Sequence, residues 1–141
     1  AAFWARREAA AELPLARKPC VVNDVAVPLD KVQTFLEQAE ERVATVDPKA
    51  DAMVVAHLGD GNVHYAVRVT DATLVTPVME TVEDLVRTLG GTFSAEHGIG
   101  RSKLGSMARR KDPVALDMMR AIKTALDPKG ILNPGKLLPP A

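Results

Sequence analysis

This chain has one cysteine, Cys20, and that excludes an internal disulfide framework. A lone thiol fits a reducing, cytoplasmic compartment. The chain has no net charge, with 18 basic residues against 18 acidic ones, so no broad attraction to nucleic acid or to an anionic membrane is expected. No apolar run approaches the roughly 18 residues that a membrane span needs. No charged segment followed by an apolar stretch opens the chain, so no signal peptide is read there. Internal repeats and low-complexity tracts are missing too. The chain starts at Ala1 inside a helix-like stretch and ends on a Pro-rich tail, Leu137–Ala141. It reads as the C-terminal piece of something longer.

What is present suits one folded domain. In 141 residues, 47% hydrophobic content against 26% charged residues is enough to bury a core.

Histidine is scarce, and its placement is not scattered. The three histidines fall in two short Gly-rich stretches, His57-Leu-Gly-Asp-Gly-Asn-Val-His64 and Ser94-Ala-Glu-His-Gly-Ile-Gly-Arg101. Asp60-Gly61 is a strong hairpin signal, because a type I′ turn needs φ > 0 at both central residues. If these two form the loop, His57 stands opposite His64 on one face of a sheet, with Cβ atoms roughly 4.5–5.5 Å apart. Two imidazoles at that spacing can share one metal ion. Glu96 can add a carboxylate, and two imidazoles with one carboxylate suit a divalent metal that keeps an open position. His97, next to Glu96, can then serve as a general base. Any one of these histidines alone reads as an ordinary surface or hydrogen-bonded residue; the set is what points to a site.

Other signals are weaker. Gly98–Lys103 looks like a phosphate loop but lacks the order of one. Arg7 carries a guanidinium able to clamp a carboxylate, against the plainer reading of a solvated helix arginine. The basic residues Arg101, Lys103, Arg109, Arg110 and Lys111 read as a solvated face. Trp4 and the methionines read as core, and Asp60 as a turn residue.

Along the chain, Ala2–Leu13 reads as a helix, interrupted by Pro14 and Pro19. Valine-rich Cys20–Val27 reads as a strand. Asp30–Val46 has apolar residues at 32, 35, 36, 39 and 43, one helical stripe. Asp51–Leu58 reads as a buried strand. Asn62–Thr70 alternates, with His64, Ala66 and Arg68 on one face and Val63, Tyr65, Val67 and Val69 on the other. Thr76–Leu89 is a helix with Thr76 as N-cap, ended by Gly90-Gly91. Thr92–Ala95 reads as a short strand and Ser102–Lys111 as a helical turn. A last helix follows Asp112-Pro113, with Val114, Met118, Ala121, Ile122, Ala125 and Leu126 on its buried side. Asn133-Pro-Gly-Lys136 is a turn.

The order β-α-β-β-α-β predicts an α+β, ferredoxin-like antiparallel sheet with helices on one face, plus a C-terminal helix. The other face is left for a ligand or another domain. It is expected to be apolar, with self-association into a homo-oligomer as one consequence. Glu96 must fold back across that face to reach His64.

The two His-containing stretches, with Asn133-Pro-Gly-Lys136 and the strand Asp24-Val-Ala-Val-Pro28, resemble the C-terminal domain of FAD-linked 2-hydroxyacid dehydrogenases. That group includes D-lactate dehydrogenase, the glycolate oxidase flavin subunit and D-2-hydroxyglutarate dehydrogenase. The resemblance covers nearly all of residues 1–141 and implies an upstream FAD-binding domain that is not in this sequence. It implies that His57, His64 and Glu96 hold zinc or another divalent ion. It further implies that His97 contacts a small 2-hydroxy acid and takes its hydroxyl proton while hydride goes to FAD. By the same resemblance, Arg7 binds the substrate carboxylate, and Asn133 and Lys136 lie in a tail returning towards the flavin. The D-2-hydroxyglutarate type has a lysine where this chain has Val22 and an asparagine where it has Ala66, which favours a different small substrate such as D-lactate or glycolate. Alone, the 141 residues are expected to bind no FAD and to be inactive. Two other readings stand beside this one: a metal-dependent hydrolase, and a non-catalytic ferredoxin-like binding module.

Overall fold

The structure is a computed structural model and describes residues 2–5, 9 and 19–140. Contacts divide the chain into two units, residues 1–96 and 97–141.

The first unit runs β1 (Cys20–Ala26), a 3-10 turn (Leu29–Lys31), α1 (Val32–Val46), β2 (Asp51–His57), β3 (Asn62–Arg68), a second 3-10 turn (Ala72–Leu74) and α2 (Val75–Thr88). The three strands form an antiparallel sheet in the order β1-β3-β2. Strand β3 alternates as its sequence predicts. Val63, Tyr65 and Val67 face the helices and are buried, while His64, Ala66 and Arg68 line the other face. Val21 and Val25 of β1 join this core, with Val32, Phe35, Ala39 and Val43 of α1 and Val78, Val82, Leu85 and Val86 of α2. Phe35 and Tyr65 meet edge to face, with ring centroids 5.7 Å apart. Burying each such large side chain contributes about 1.5–3 kcal/mol.

Two strand expectations need correction. Asp51–His57 is an edge strand and only half-buried, because β3 takes the centre of the sheet. Its apolar run gives its composition but not its place in the order. The expected strand at Thr92–Ala95 shrinks to a single bridge, Ala26 with Thr92. The next backbone bond runs from Ala95 N–H to Asp24 O (3.1 Å). That is one residue beyond where a continued ladder would pair, so the chain bulges off β1.

Helix α2 starts at Val75, not behind a Thr76 cap. The Asp71 side chain instead caps the preceding 3-10 turn, accepting the N–H of Thr73 at 2.7 Å. Gly90, with φ 77°, ends the helix in the left-handed conformation that the sequence anticipated.

The second unit holds α3 (Leu104–Arg110) and α4 (Pro113–Leu126). Asp112 caps α4, accepting from Ala115 N–H at 3.0 Å, with Pro113 at its first turn. At the other end, Asp127 accepts from Lys123 and from the N–H groups of Ile131 (3.0 Å) and Leu132 (2.9 Å). Asn133 (φ 46°) makes the expected turn, accepting from Lys136 N–H at 3.3 Å.

The apolar stripe of α4 is not buried as its spacing suggested: Val114, Met118, Ile122 and Leu126 are all exposed, and Leu116 is the buried residue of this helix. Periodicity shows that a helix has an apolar face, not what covers it. Trp4 and Met118 are likewise exposed rather than core, whereas Met107 is buried. No helix among the described residues is long and apolar enough to cross a membrane.

The helix-to-strand junctions are tied by one buried carboxylate. Asp47, at the end of α1, accepts the N–H (2.7 Å) and hydroxyl (3.0 Å) of Thr70 and the N–H of Lys49 (3.1 Å). The Thr70 N–H, which it accepts, does most to hold this carboxyl below the ordinary 3.8, against the opposing effect of burial. A depressed carboxyl stabilises the fold above its unfolded value, and that stability is lost as pH falls through the folded one. Thermal melts should therefore show the native protein losing stability as pH drops below 3.8. Asp47→Asn should melt lower than the parent at pH 7, with the gap closing in acid.

Candidate metal centre

The site is built on the face of the sheet opposite α1 and α2. β2 and β3 are joined by four residues, Leu58–Gly61, not by a two-residue Asp60-Gly61 turn. Asp60 is a turn residue, as expected: its Oδ1 accepts the N–H of Asn62 at 3.0 Å. Gly61 is needed for two reasons. Its φ is 77°, and a Cβ there would stand 2.1 Å from Val27 O. The longer loop shifts the register, so His57 pairs with Asn62 and His64 with Val55. A shift of two residues keeps side chains on the same face, whereas a shift of one reverses them. His57 and His64 are thus diagonal neighbours rather than directly opposed, and their rings still meet, centroids 5.3 Å apart and planes at 83°.

Glu96 reaches them. Its Oε1 lies 3.2 Å from His64 Nε2 and 3.9 Å from His57 Nε2. Ligand atoms sharing one tetrahedral zinc at ~2.0–2.1 Å stand roughly 3.3 Å apart. The Glu96–His64 separation matches that spacing, whereas His57 Nε2 stands farther off and would have to move in to share the same ion. The fold-back that Glu96 needed is short because the chain leaves β1 after a single bridge. The backbone N–H of Glu96 then settles on Asp24 Oδ2 at 3.2 Å.

Asp24 is the residue the sequence reading passed over. It pairs with His64 across β1 and β3, and its Oδ1 lies 3.5 Å from His64 Nδ1. One ligand atom from each of Asp24, His64 and Glu96 lies within 4.8 Å of the others. Its signal was available: a carboxylate inside a valine-rich strand is out of place unless it has partners. The cluster is closed on one side and open on the other. The Asp24 side chain is 6% exposed and that of His64 22%, against 41% for His57 and 51% for Glu96. The His57 and Glu96 side is the more solvent-exposed one.

His97 follows Glu96 in the chain and begins the second unit. Arg7 lies outside the described residues. Asn133 and Lys136 belong to the turn of the second unit and are exposed. The face itself is mixed, not apolar. The rung beside Asp24, His64 and Val55 consists of Val22, Ala66 and Met53, and beyond it Arg68 pairs with Asp51 at 3.6 Å.

The family described as FAD linked oxidases, C-terminal domain, matches residues 1–137. The chain belongs to this family. It is 38% identical over 134 residues to an uncharacterized FAD-linked oxidoreductase of Mycobacterium tuberculosis, covering 95% of this chain and 27% of that protein. It is 40% identical over 143 residues to the mitochondrial D-2-hydroxyglutarate dehydrogenase of Bos taurus, covering 97% and 25%. To the D-2-hydroxyglutarate dehydrogenase of Stutzerimonas stutzeri it is 33% identical, covering 82% and 26%. The chain thus spans about a quarter of the length of the curated relatives it matches. As an FAD-linked oxidase C-terminal domain, it carries its donor set on the end of β2, on β3 and on the segment after the Thr92 bridge.

His57→Ala and His64→Ala should each abolish stoichiometric zinc in the purified protein, read by elemental analysis. The affinity loss should exceed the roughly 10–100-fold typical of residues that only support a ligand. Gly61→Ala should lower stability by more than ~1 kcal/mol in denaturant unfolding, since it combines φ > 0 with a backbone clash.

Proposed function

We propose that this chain is the metal- and substrate-binding part of a flavin-dependent oxidoreductase that oxidises a small 2-hydroxy acid. The observation that carries this reading is the convergence of Glu96 Oε1 on the Nε2 atoms of both His57 and His64. Membership in the FAD-linked oxidase family and likeness to D-2-hydroxyglutarate dehydrogenases support it. FAD, when bound, would supply the hydride acceptor, and a divalent ion such as zinc, held by His57, His64 and Glu96, would supply Lewis-acid polarisation of the substrate oxygen. The chain's own residues do the rest. His57, His64 and Glu96 fix the ion's position on a rigid sheet face. His97, covalently next to Glu96, takes the hydroxyl proton, a task suited to imidazole near neutral pH. Arg7 binds the substrate carboxylate, and Asn133 and Lys136 contact the flavin side.

The substrate is short. The rung next to the ligands, Val22–Ala66–Met53, is apolar, and Arg68 beyond it is engaged by Asp51. A second carboxylate would find no side-chain hydrogen-bond donor on that rung. D-Lactate or glycolate fits this face better than D-2-hydroxyglutarate. The exposed stripe Val114, Met118, Ile122 and Leu126 is the kind of surface that an adjoining FAD-binding domain covers.

Steady-state kinetics on the full flavoprotein carrying this chain test the reading. kcat/KM should be at least about tenfold higher for D-lactate or glycolate than for D-2-hydroxyglutarate, a difference of ~1.4 kcal/mol. Preference for the longer diacid overturns the substrate assignment. His97→Gln should lower kcat by roughly 10²–10⁴. A stoichiometric flavin spectrum from the isolated 141 residues would contradict the proposed division of labour.

A further inference from the structure

Of the side chains Asp24, His57, His64 and Glu96, all but one are at least a fifth exposed. The exception is Asp24, held on β1 beneath the ligands. We propose that Asp24 is the positioning residue of the metal centre: a single buried carboxylate that sets the tautomer of His64 and the path of the backbone into Glu96. This rests on the reading of His57, His64 and Glu96 as ligands.

The two nitrogens of an imidazole point in divergent directions and take different partners. His64 Nε2 faces Glu96 Oε1 at 3.2 Å, on the side shared with His57. His64 Nδ1 stands 3.5 Å from Asp24 Oδ1, in ion-pair range but longer than an ordinary N–H···O hydrogen bond. A carboxylate can only accept, so closing that gap by a few tenths of an ångström would select the tautomer with the proton on Nδ1 and leave the Nε2 lone pair for a cation. The other oxygen, Oδ2, accepts the N–H of Glu96 at 3.2 Å, and the Asp24 carbonyl accepts the N–H of Ala95 at 3.1 Å. Asp24 therefore organises one ligand through its ring and another through its main chain. It does so from a rigid place, since Asp24 is 4% exposed and lies in register with His64 in the β1–β3 ladder. Burying a carboxylate costs several kcal/mol unless hydrogen bonds and opposite charge offset it. A divalent ion held by His64 would supply part of that charge. The proposal gives Asp24 the supporting place rather than a ligand's, because Nε2, the nitrogen on the far side of the His64 ring from Asp24, is the one 3.2 Å from Glu96 Oε1.

Asp24→Asn is the decisive variant. The amide oxygen can still accept from Glu96 N–H, so the backbone path is kept, but the amide NH2 cannot accept from His64 Nδ1. Zinc titration by calorimetry, with Co²⁺ absorption as a second probe, should show affinity lowered roughly 10–100-fold and a perturbed Co²⁺ spectrum. The metal-free variant should keep its circular dichroism. ¹⁵N NMR of the zinc-loaded parent should show His64 protonated at Nδ1. Three results overturn the proposal. In the first, Asp24→Asn binds zinc as tightly as the parent while His64→Ala does not. In the second, Asp24→Asn abolishes binding as completely as His64→Ala, which makes Asp24 a ligand. In the third, His64 is protonated at Nε2 in the zinc-loaded parent, a readout that holds even if the variant does not fold. If the parent itself binds no zinc, the metal centre falls and this role falls with it, an outcome distinct from the other three.

Discussion

The structure depends on the pairing of β3 on both of its edges. A strand held on one side can slip; one held between β1 and β2 cannot move by a residue without breaking two ladders. Because of that lock, the alternation of Asn62–Arg68 sorts the chain into two chemistries. Val63, Tyr65 and Val67 go to the helices, and His64 goes to the opposite face with Asp24 on one side and Val55 on the other. The hairpin loop is pinned as well. Val27 N–H donates to Gly61 O at 3.1 Å, and the space beside Val27 O admits no Cβ at position 61. The same contact ties the loop to the end of β1, so the position of His57 follows from the placement of β1.

Core and site therefore share one strand but not one face, and that separation has energetic consequences. The helix side is closed by apolar packing and needs no polar partner beyond a few anchors such as Asp47. The other face carries charge at its centre, Asp24 with His64, and is apolar one rung away at Val22, Ala66 and Met53. Polar groups that are buried must be satisfied, and here backbone N–H groups from the irregular segment after Thr92 do part of that work. The failure of Thr92–Ala95 to form a full strand thus serves the site. A regular ladder would have spent the Glu96 N–H on pairing with β1.

Much of this was legible from residues alone. The stripes of α1 and α2, the faces of β3 and the common face of His57 and His64 follow from periods of 3.6 and 2 and from turn chemistry, whereas the approach of Glu96 does not follow from spacing and is implied only by the family resemblance. What was not legible has physical causes. The Asp60-Gly61 signal marks a reversal but does not fix loop length, so a two-residue and a four-residue loop look alike; the site survived the error because both put the histidines on one face. The order β1-β3-β2 makes β2 an edge, and an apolar run such as Ala52–Ala56 does not reveal that. Asp24 escaped notice because its partners, His64 and Glu96, are far away in sequence and near only in the fold. The α4 stripe was real, but burial is a property of what lies against a helix, not of the helix.

The proposed chemistry places different demands on the two sides of the cluster. A metal ligand must be held, and holding is done best by a sheet, where His64 and Asp24 are fixed by neighbours on both sides. A substrate must enter and leave, and the more exposed donors, His57 and Glu96, lie at a strand end and on an irregular segment. His97 is the next residue after Glu96, with Cα atoms ~3.8 Å apart. On that view the N–H of Glu96 donated to Asp24 has a second effect. It sets the backbone position from which both the carboxylate and the proposed base project, and so couples the place of the ion to the place of the proton acceptor.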